Sequence, residues 1–247
     1  MQMSGNTLLV TGGGSGIGLA LAKRFARRGN TVVIAGRRAS ALAEAKRQMP
    51  ELETITADVA TEAGRIALAE AARSRFPALN VLVNNAGIQQ RPAPLLEPQD
   101  WSAHKAEIAT NLEAPLHLTM LLLPHLARAS HGAVINVTSG LAFVPLAAMP
   151  TYCLTKAALH SFTQSLRWQL RETAIKVAEI APPAVNTDLG GPGLHTFGVD
   201  VDAFADDVLR RLDAGETEFG YQSSEQRRVA NHAEREAIFL QMNTPRT

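Results

Sequence analysis

Six short runs rich in Val, Ile, Leu and Thr recur along the chain, and longer stretches of helical periodicity separate them. The runs cover residues 7–10, 31–34, 53–56, 81–83, 133–137 and 176–180. Most are almost continuously apolar rather than alternating, as expected of parallel strands buried on both faces. Right-handed crossovers wind such strands into an open sheet, so the expected fold is α/β, a doubly wound, mostly parallel Rossmann-type sheet flanked by helices on both faces. In the first helix Ile17, Leu21 and Phe25 form the stripe that packs on the sheet, and Gly29 ends the helix. Lys23, Arg24, Arg27 and Arg28 face elsewhere and read as a solvated surface near the helix carboxyl end.

The 247 residues carry 24 Lys+Arg against 23 Asp+Glu. A protein that binds nucleic acid mainly by neutralising phosphates is far more basic, so none is expected as a partner. The length and the lack of a Pro/Gly/Ser-rich linker predict one domain over residues 1–247. The single cysteine, Cys153, cannot form an internal disulfide, and the N-terminus has no basic, apolar leader, so a cytoplasmic protein is expected. The longest greasy segment, 116–127, contains His117, Pro124 and His125 and falls short of the ~20 apolar residues that span a membrane. The seven histidines lie in no ligand spacing, so no metal is expected.

Directly after the first run stands Thr11-Gly12-Gly13-Gly14-Ser15-Gly16-Ile17-Gly18. Glycines at a strand-to-helix turn let backbone approach a pyrophosphate, and the helix N-terminus offers N–H donors to it. The spacing is not that of a P-loop, because Leu19 stands where a lysine is needed. After the second run the chain reads Gly36-Arg37-Arg38, with no carboxylate to bond a ribose 2′-hydroxyl. A guanidinium there accommodates a 2′-phosphate, so NADP(H) is preferred over NAD(H), although both arginines could simply open a solvated helix.

Tyr152 and Lys156 are four apart on a helical pattern that continues through Leu159, Phe162 and Leu166, so they share a face. A phenol titrates near 10 and needs a neighbouring cation to work as an acid-base group near neutrality. Ser139 ends the fifth run, where its hydroxyl can hold a substrate oxygen.

Together with Asp58-Val59, Asn84-Asn85-Ala86-Gly87 and Asn111, these residues resemble the short-chain dehydrogenase/reductase family, in order and spacing from residue 7 to about 187. The resemblance implies a nicotinamide-dependent carbonyl reductase or alcohol dehydrogenase in which Tyr152 is the general acid or base. Ser139 would hold the substrate oxygen. Lys156 would lower the Tyr152 pKa and bind the nicotinamide ribose, and Asn111 would hold a water that links the site to bulk. The cofactor would meet Gly12, Gly14, Ser15, Gly16, Ile17, Gly18, Arg37, Arg38, Asp58, Val59, Asn84, Ala86, Gly87, Tyr152, Lys156 and Thr187. One departure is Pro182-Pro183, where the family usually has Pro-Gly; Pro183 stiffens the loop leading to Thr187.

Leu141, Phe143, Val144, Leu146, Leu189, Leu194 and Phe197 surround this constellation with apolar groups, which predicts an uncharged, lipophilic carbonyl or alcohol substrate, unless several of them pack a subunit interface. The glycine-rich stretch 188–200 is expected to be a flap, or else a plain surface loop. The family resemblance implies a homo-oligomer pairing the helices that carry Asn111 and Tyr152. An extra helix over 226–242 tilts this toward a dimer. A protein that binds NADP(H) as a redox sensor or scaffold without significant turnover is the alternative.

Overall fold

The computed structural model describes residues 2–244. Strands β1 (Thr7–Thr11), β2 (Thr31–Gly36), β3 (Glu53–Thr56), β4 (Leu79–Asn84), β5 (Gly132–Val137), β6 (Ile175–Ala181) and β7 (Glu218–Gly220) form one parallel sheet in the order β3-β2-β1-β4-β5-β6-β7. The register pairs Leu8 with Val32 and Leu9 with Val33. Successive residues point to opposite faces, so Leu8, Val10, Val32 and Ile34 build one core with Phe25 and Phe204, while Leu9, Val33, Leu82 and Val134 build the other with Leu68, Leu118 and Leu122. Both faces are dry. This is why the runs are continuously apolar.

Helices α1 (Gly16–Arg27), α2 (Ala39–Gln48), α3 (Glu62–Arg75), α4 (Trp101–Ile108), α5 (Ala114–Leu126), α6 (Pro150–Gln169) and α7 (Val201–Asp213) connect the strands. Among the described residues, no helix is long and apolar enough to cross a membrane. The strand order reverses between β1 and β4, and ligands of open α/β sheets bind in the crevice beyond the carboxyl ends of strands at such a point.

Three expectations are corrected. The sheet has a seventh strand; β7 is only Glu-Phe-Gly, too short to show as a run, and forms because the edge of β6 offers Glu179, Ile180 and Ala181 as partners. The basic face of α1 is not simply solvated: Arg24 binds Asp206 at 2.6 Å and Asp202 at 2.9 Å, and Arg28 reaches Asp213 at 3.4 Å. The three acids lie on α7, which packs beside α1. The expected single tail helix is two, α8 (Ser223–Val229) and α9 (His232–Asn243), divided where Asn231 opens α9 in a capping box with Glu234.

Candidate active site

The glycine turn is fastened to the end of β4. The Thr11 hydroxyl donates to Val83 O and accepts from the N–H groups of Asn85, at 3.0 Å, and Ala86, at 3.1 Å. Asn85 Nδ2 donates to Thr11 O at 2.9 Å. Gly12 has φ +66°, and a Cβ there would lie 2.9 Å from Ala86 Cα, so only glycine fits. The turn brings the predicted residues 12–18 onto the N-terminus of α1, and Thr187 Cγ2 lies 3.3 Å from a Cβ placed on Gly16. The cradle is open backbone at a positive dipole end, which suits a pyrophosphate.

Arg38 Nη2 donates to Ser15 Oγ at 3.2 Å, placing the second guanidinium against the glycine turn, while Arg37 is exposed beside it. Asp58 closes a turn after β3 by accepting from Ala60 N at 3.0 Å. Val59 is buried, and its carbonyl accepts from Arg65. Asn84 ends β4 beside the turn with its side chain directed into the core. Its side chain donates to Asn136 Oδ1 at 2.9 Å, and Asn136 donates to Thr163 Oγ1 at 2.8 Å, a buried polar chain from β4 through β5 to α6. Neighbours on a strand point to opposite faces, so Asn85 is the one whose side chain binds the glycine turn.

Asn111 lies in a π-helical turn, Ala109–Glu113, between α4 and α5. Such wide turns place a side chain where an α-helical register would not. Its amide is doubly bonded to Ile88, accepting from N and donating to O, each at 2.8 Å. Gly87 links the groups: a Cβ there would stand 3.4 Å from Asn111 Oδ1 and 3.7 Å from Lys156 Nζ. The Lys156 ammonium donates to Val137 O at 2.9 Å and lies 5.7 Å from the Tyr152 ring centre. Both side chains are buried on α6. Ser139, the residue capping the short 3₁₀ turn Gly140–Ala142, accepts from Leu141 N at 3.1 Å.

The electrostatics differ from the simple expectation. Burial drives the Tyr152 phenol above its ordinary value, the Ser139 hydroxyl pulls the other way, and the charge of Glu107 adds to the rise. The expected lowering of Tyr152 by Lys156 is not among the influences on the buried phenol, where the downward pull comes from Ser139. Burial likewise brings Lys156 down to about 8, against an upward pull from Glu107. Glu107 was missed in the sequence. It is almost wholly buried one turn before Asn111, accepts from Gln90 N at 2.9 Å, and is itself raised chiefly by burial. Cys153 packs on Leu146, and burial pushes its thiol up, which keeps it from acting as a thiolate.

Behind Ser139, the Thr138 hydroxyl donates to Glu179 at 2.7 Å, and His160 Nδ1 meets the same carboxylate at 2.8 Å, which holds His160 above its ordinary pKa. Glu218 completes a His/Glu cluster that no sequence spacing announced, but Arg167 at 2.8 Å and Arg228 at 3.5 Å already neutralise it. His195, in the 188–199 segment, is buried near Phe197, and Gly190 approaches Gln89 there.

A profile described as short chain dehydrogenase matches residues 6–194. The chain belongs to the short-chain dehydrogenase family. It is 45% identical over 249 residues to the uncharacterized oxidoreductase DltE of Bacillus subtilis (strain 168), a match covering 99% of both proteins. A short-chain dehydrogenase from Burkholderia cenocepacia J2315, solved in complex with NADP, superposes with TM-score 0.85 at 28% identity over 99% of this chain and 100% of its own. A 3-ketoacyl-(acyl-carrier-protein) reductase from Brucella melitensis, complexed with NADH, gives 0.77 at 29% identity over 85% of this chain and 91% of its own. The protein is thus a nicotinamide-dependent short-chain dehydrogenase/reductase, and the open glycine turn at the N-terminus of α1 suits the pyrophosphate of such a cofactor.

Proposed function

We propose that this short-chain dehydrogenase transfers a hydride between NADP(H) and a carbonyl or secondary alcohol, with Tyr152 giving the proton in reduction and taking it in oxidation. The observation that carries this reading is the buried Tyr152 phenol beside Ser139, on the same helical face as a Lys156 ammonium that abuts Gly87. With its pyrophosphate on the glycine turn, the cofactor would supply or accept the hydride at its nicotinamide. Burial keeps the phenol protonated in the free protein, and the Lys156 ammonium, 5.7 Å from the ring centre on the same face, favours the phenolate left when the proton is given up. Ser139 holds the substrate oxygen toward it. Lys156 spends one of its three N–H groups on Val137 O and keeps two for ribose hydroxyls. Asn111, clamped to Ile88, orders water behind Lys156. Gly12, Gly14, Gly16, Ile17 and Gly18 offer the pyrophosphate cradle, with Ala86, Gly87 and Thr187 along its nicotinamide side and Asp58 with Val59 at the adenine. The stretch 188–200 covers the substrate. Tyr152→Phe, treated in the Discussion, tests the assignment.

The preference for NADP(H) rests on Ser15, Arg37 and Arg38, which leave a cationic rim with no carboxylate at the end of β2. Replacing both arginines with Asp is expected to weaken NADPH by about ten- to hundredfold, the worth of one or two charge-assisted bonds. Fluorescence titration with NADPH and NADH checks it, and equal losses of the two cofactors would sink the assignment.

We also propose a two-fold dimer through the outer faces of α4, α5 and α6. Trp101, Met120, Leu154 and Trp168 are all more than half exposed there, an unusual density of large apolar groups on one side. Sedimentation equilibrium is expected to return the mass of two chains, and Leu154→Glu that of one; a monomeric parent protein would refute the pairing.

A further inference from the structure

Helix α8 packs on the short turn that follows Ser139 and on the end of β6. Buried Ser224 donates to Ala181 O, at the end of β6, at 2.5 Å. It also packs so tightly on Gly140 that a Cβ there would lie 2.7 Å from Ser224 Cβ. Gly140 follows Ser139, and its N–H donates to Pro182 O at 2.9 Å. One turn along the same face of α8 comes Arg227, whose Nη1 is 3.0 Å from that same Cβ position. The guanidinium therefore stands where the Ser139 turn meets the 181–183 loop, at the carboxyl edge of the sheet on which ligands bind.

Its neighbours are neutralised and it is not. Arg211 pairs with Glu216, and Arg228 pairs with Glu225, each at 2.6 Å. Arg227 is half-buried, yet among the described residues it has no carboxylate within 4.0 Å and no hydrogen bond. None of its nitrogens is sealed from the surface. Arg235, the next cation, lies 5.8 Å over the ring of Phe143, at the end of the same turn, and donates to Arg228 O; among the described residues it too has no carboxylate within 4.0 Å. Burial draws the Arg227 guanidinium below its usual pKa. A guanidinium fork with no partner, packed on the turn that Ser139 opens, suits a planar anion.

We propose that Arg227 binds a carboxylate on the substrate, so that the molecule turned over at Tyr152 is an oxo acid or the matching hydroxy acid with an apolar stem. This deepens the hydride-transfer reading and rests on it, and it replaces the uncharged substrate expected from the sequence. In reduction the carbonyl carbon gains the hydride from NADPH, which leaves as NADP⁺, and the oxygen gains the proton of Tyr152. The carboxylate is unchanged. One planar fork matches two carboxylate oxygens, whereas a phosphate dianion calls for more cations than the one guanidinium facing Gly140.

The test measures equilibrium binding to the NADP⁺-saturated protein of a series of straight-chain oxo acids, their methyl esters, and a phosphorylated ketone, for the parent, Arg227→Gln and Arg227→Lys. At least one oxo acid is expected to bind about tenfold or more tighter than its ester. Arg227→Gln should erase that difference without moving the ester, and Arg227→Lys should keep part of it. In NADPH-oxidation assays the loss in Arg227→Gln should fall on KM for the acid, with ester turnover and NADPH affinity unchanged. Acids binding no better than their esters, a variant that weakens both alike, or a tighter phosphorylated ketone would each overturn the proposal. Acid preference in binding with no turnover of any probe would instead count against the hydride-transfer reading alone.

Discussion

Tyr152→Phe lowers turnover by about a thousandfold and leaves NADPH affinity within about twofold of the parent. The first figure is the usual worth of a positioned proton donor, on the order of 10²–10⁴. The second follows from the packing. The ring is buried against Met149, Cys153, Leu141 and Leu146, and Phe fills the same space. No backbone group depends on the phenol oxygen, so the helix that presents Lys156 stays as it is. Ser139 remains in place too, held by Leu141 N. Stopped-flow hydride transfer together with cofactor titration separates the effects. Near-parent turnover in the variant would remove Tyr152 from the chemistry, and binding without turnover in the parent protein would restore the sensor or scaffold alternative.

Gly12→Val is expected to cost more than a hundredfold in cofactor affinity and several kcal/mol of stability. Any L side chain at φ +66° pays roughly 1–2 kcal/mol for its backbone alone. The added Cβ meets Ala86 Cα at 2.9 Å, and Ala86 cannot recede, because its N–H and that of Asn85 are both held by the Thr11 hydroxyl. Relief must come from opening those bonds, and each buried N–H left without a partner costs about 1–3 kcal/mol. The same movement displaces the N-terminus of α1. Denaturant unfolding and NADPH titration check both parts; a variant that folds and binds like the parent would mean that the turn is not the cradle.

The parts of this site that were legible in the sequence are those whose geometry is local. A glycine turn after a strand, two residues four apart on a helix, and a hydroxyl at a strand end each place themselves by spacing alone. Asn84 shows the limit. Alternation sends either it or Asn85 toward the turn, and only the register with β1 and β5 decides which. Glu107 and Arg227 gave no signal, since a lone charge on a helix reads as solvated until the fold buries it. Arg24 and β7 failed in the same way: a partner nearly 180 residues away supplies the salt bridge, and the edge of β6 makes a strand of three residues.

The polar chain Asn84–Asn136–Thr163 has a mechanical meaning. It joins the strand that ends at the cofactor turn, the strand that ends at Ser139, and the helix that carries Tyr152 and Lys156. Apolar contacts let such elements slide by small amounts, whereas directional bonds at 2.8–2.9 Å fix their mutual register. On the proposed hydride-transfer reading, the cofactor turn and the Tyr152 helix must hold their groups at fixed distances from one carbonyl. The core of this fold would then work as a jig that keeps the two aligned.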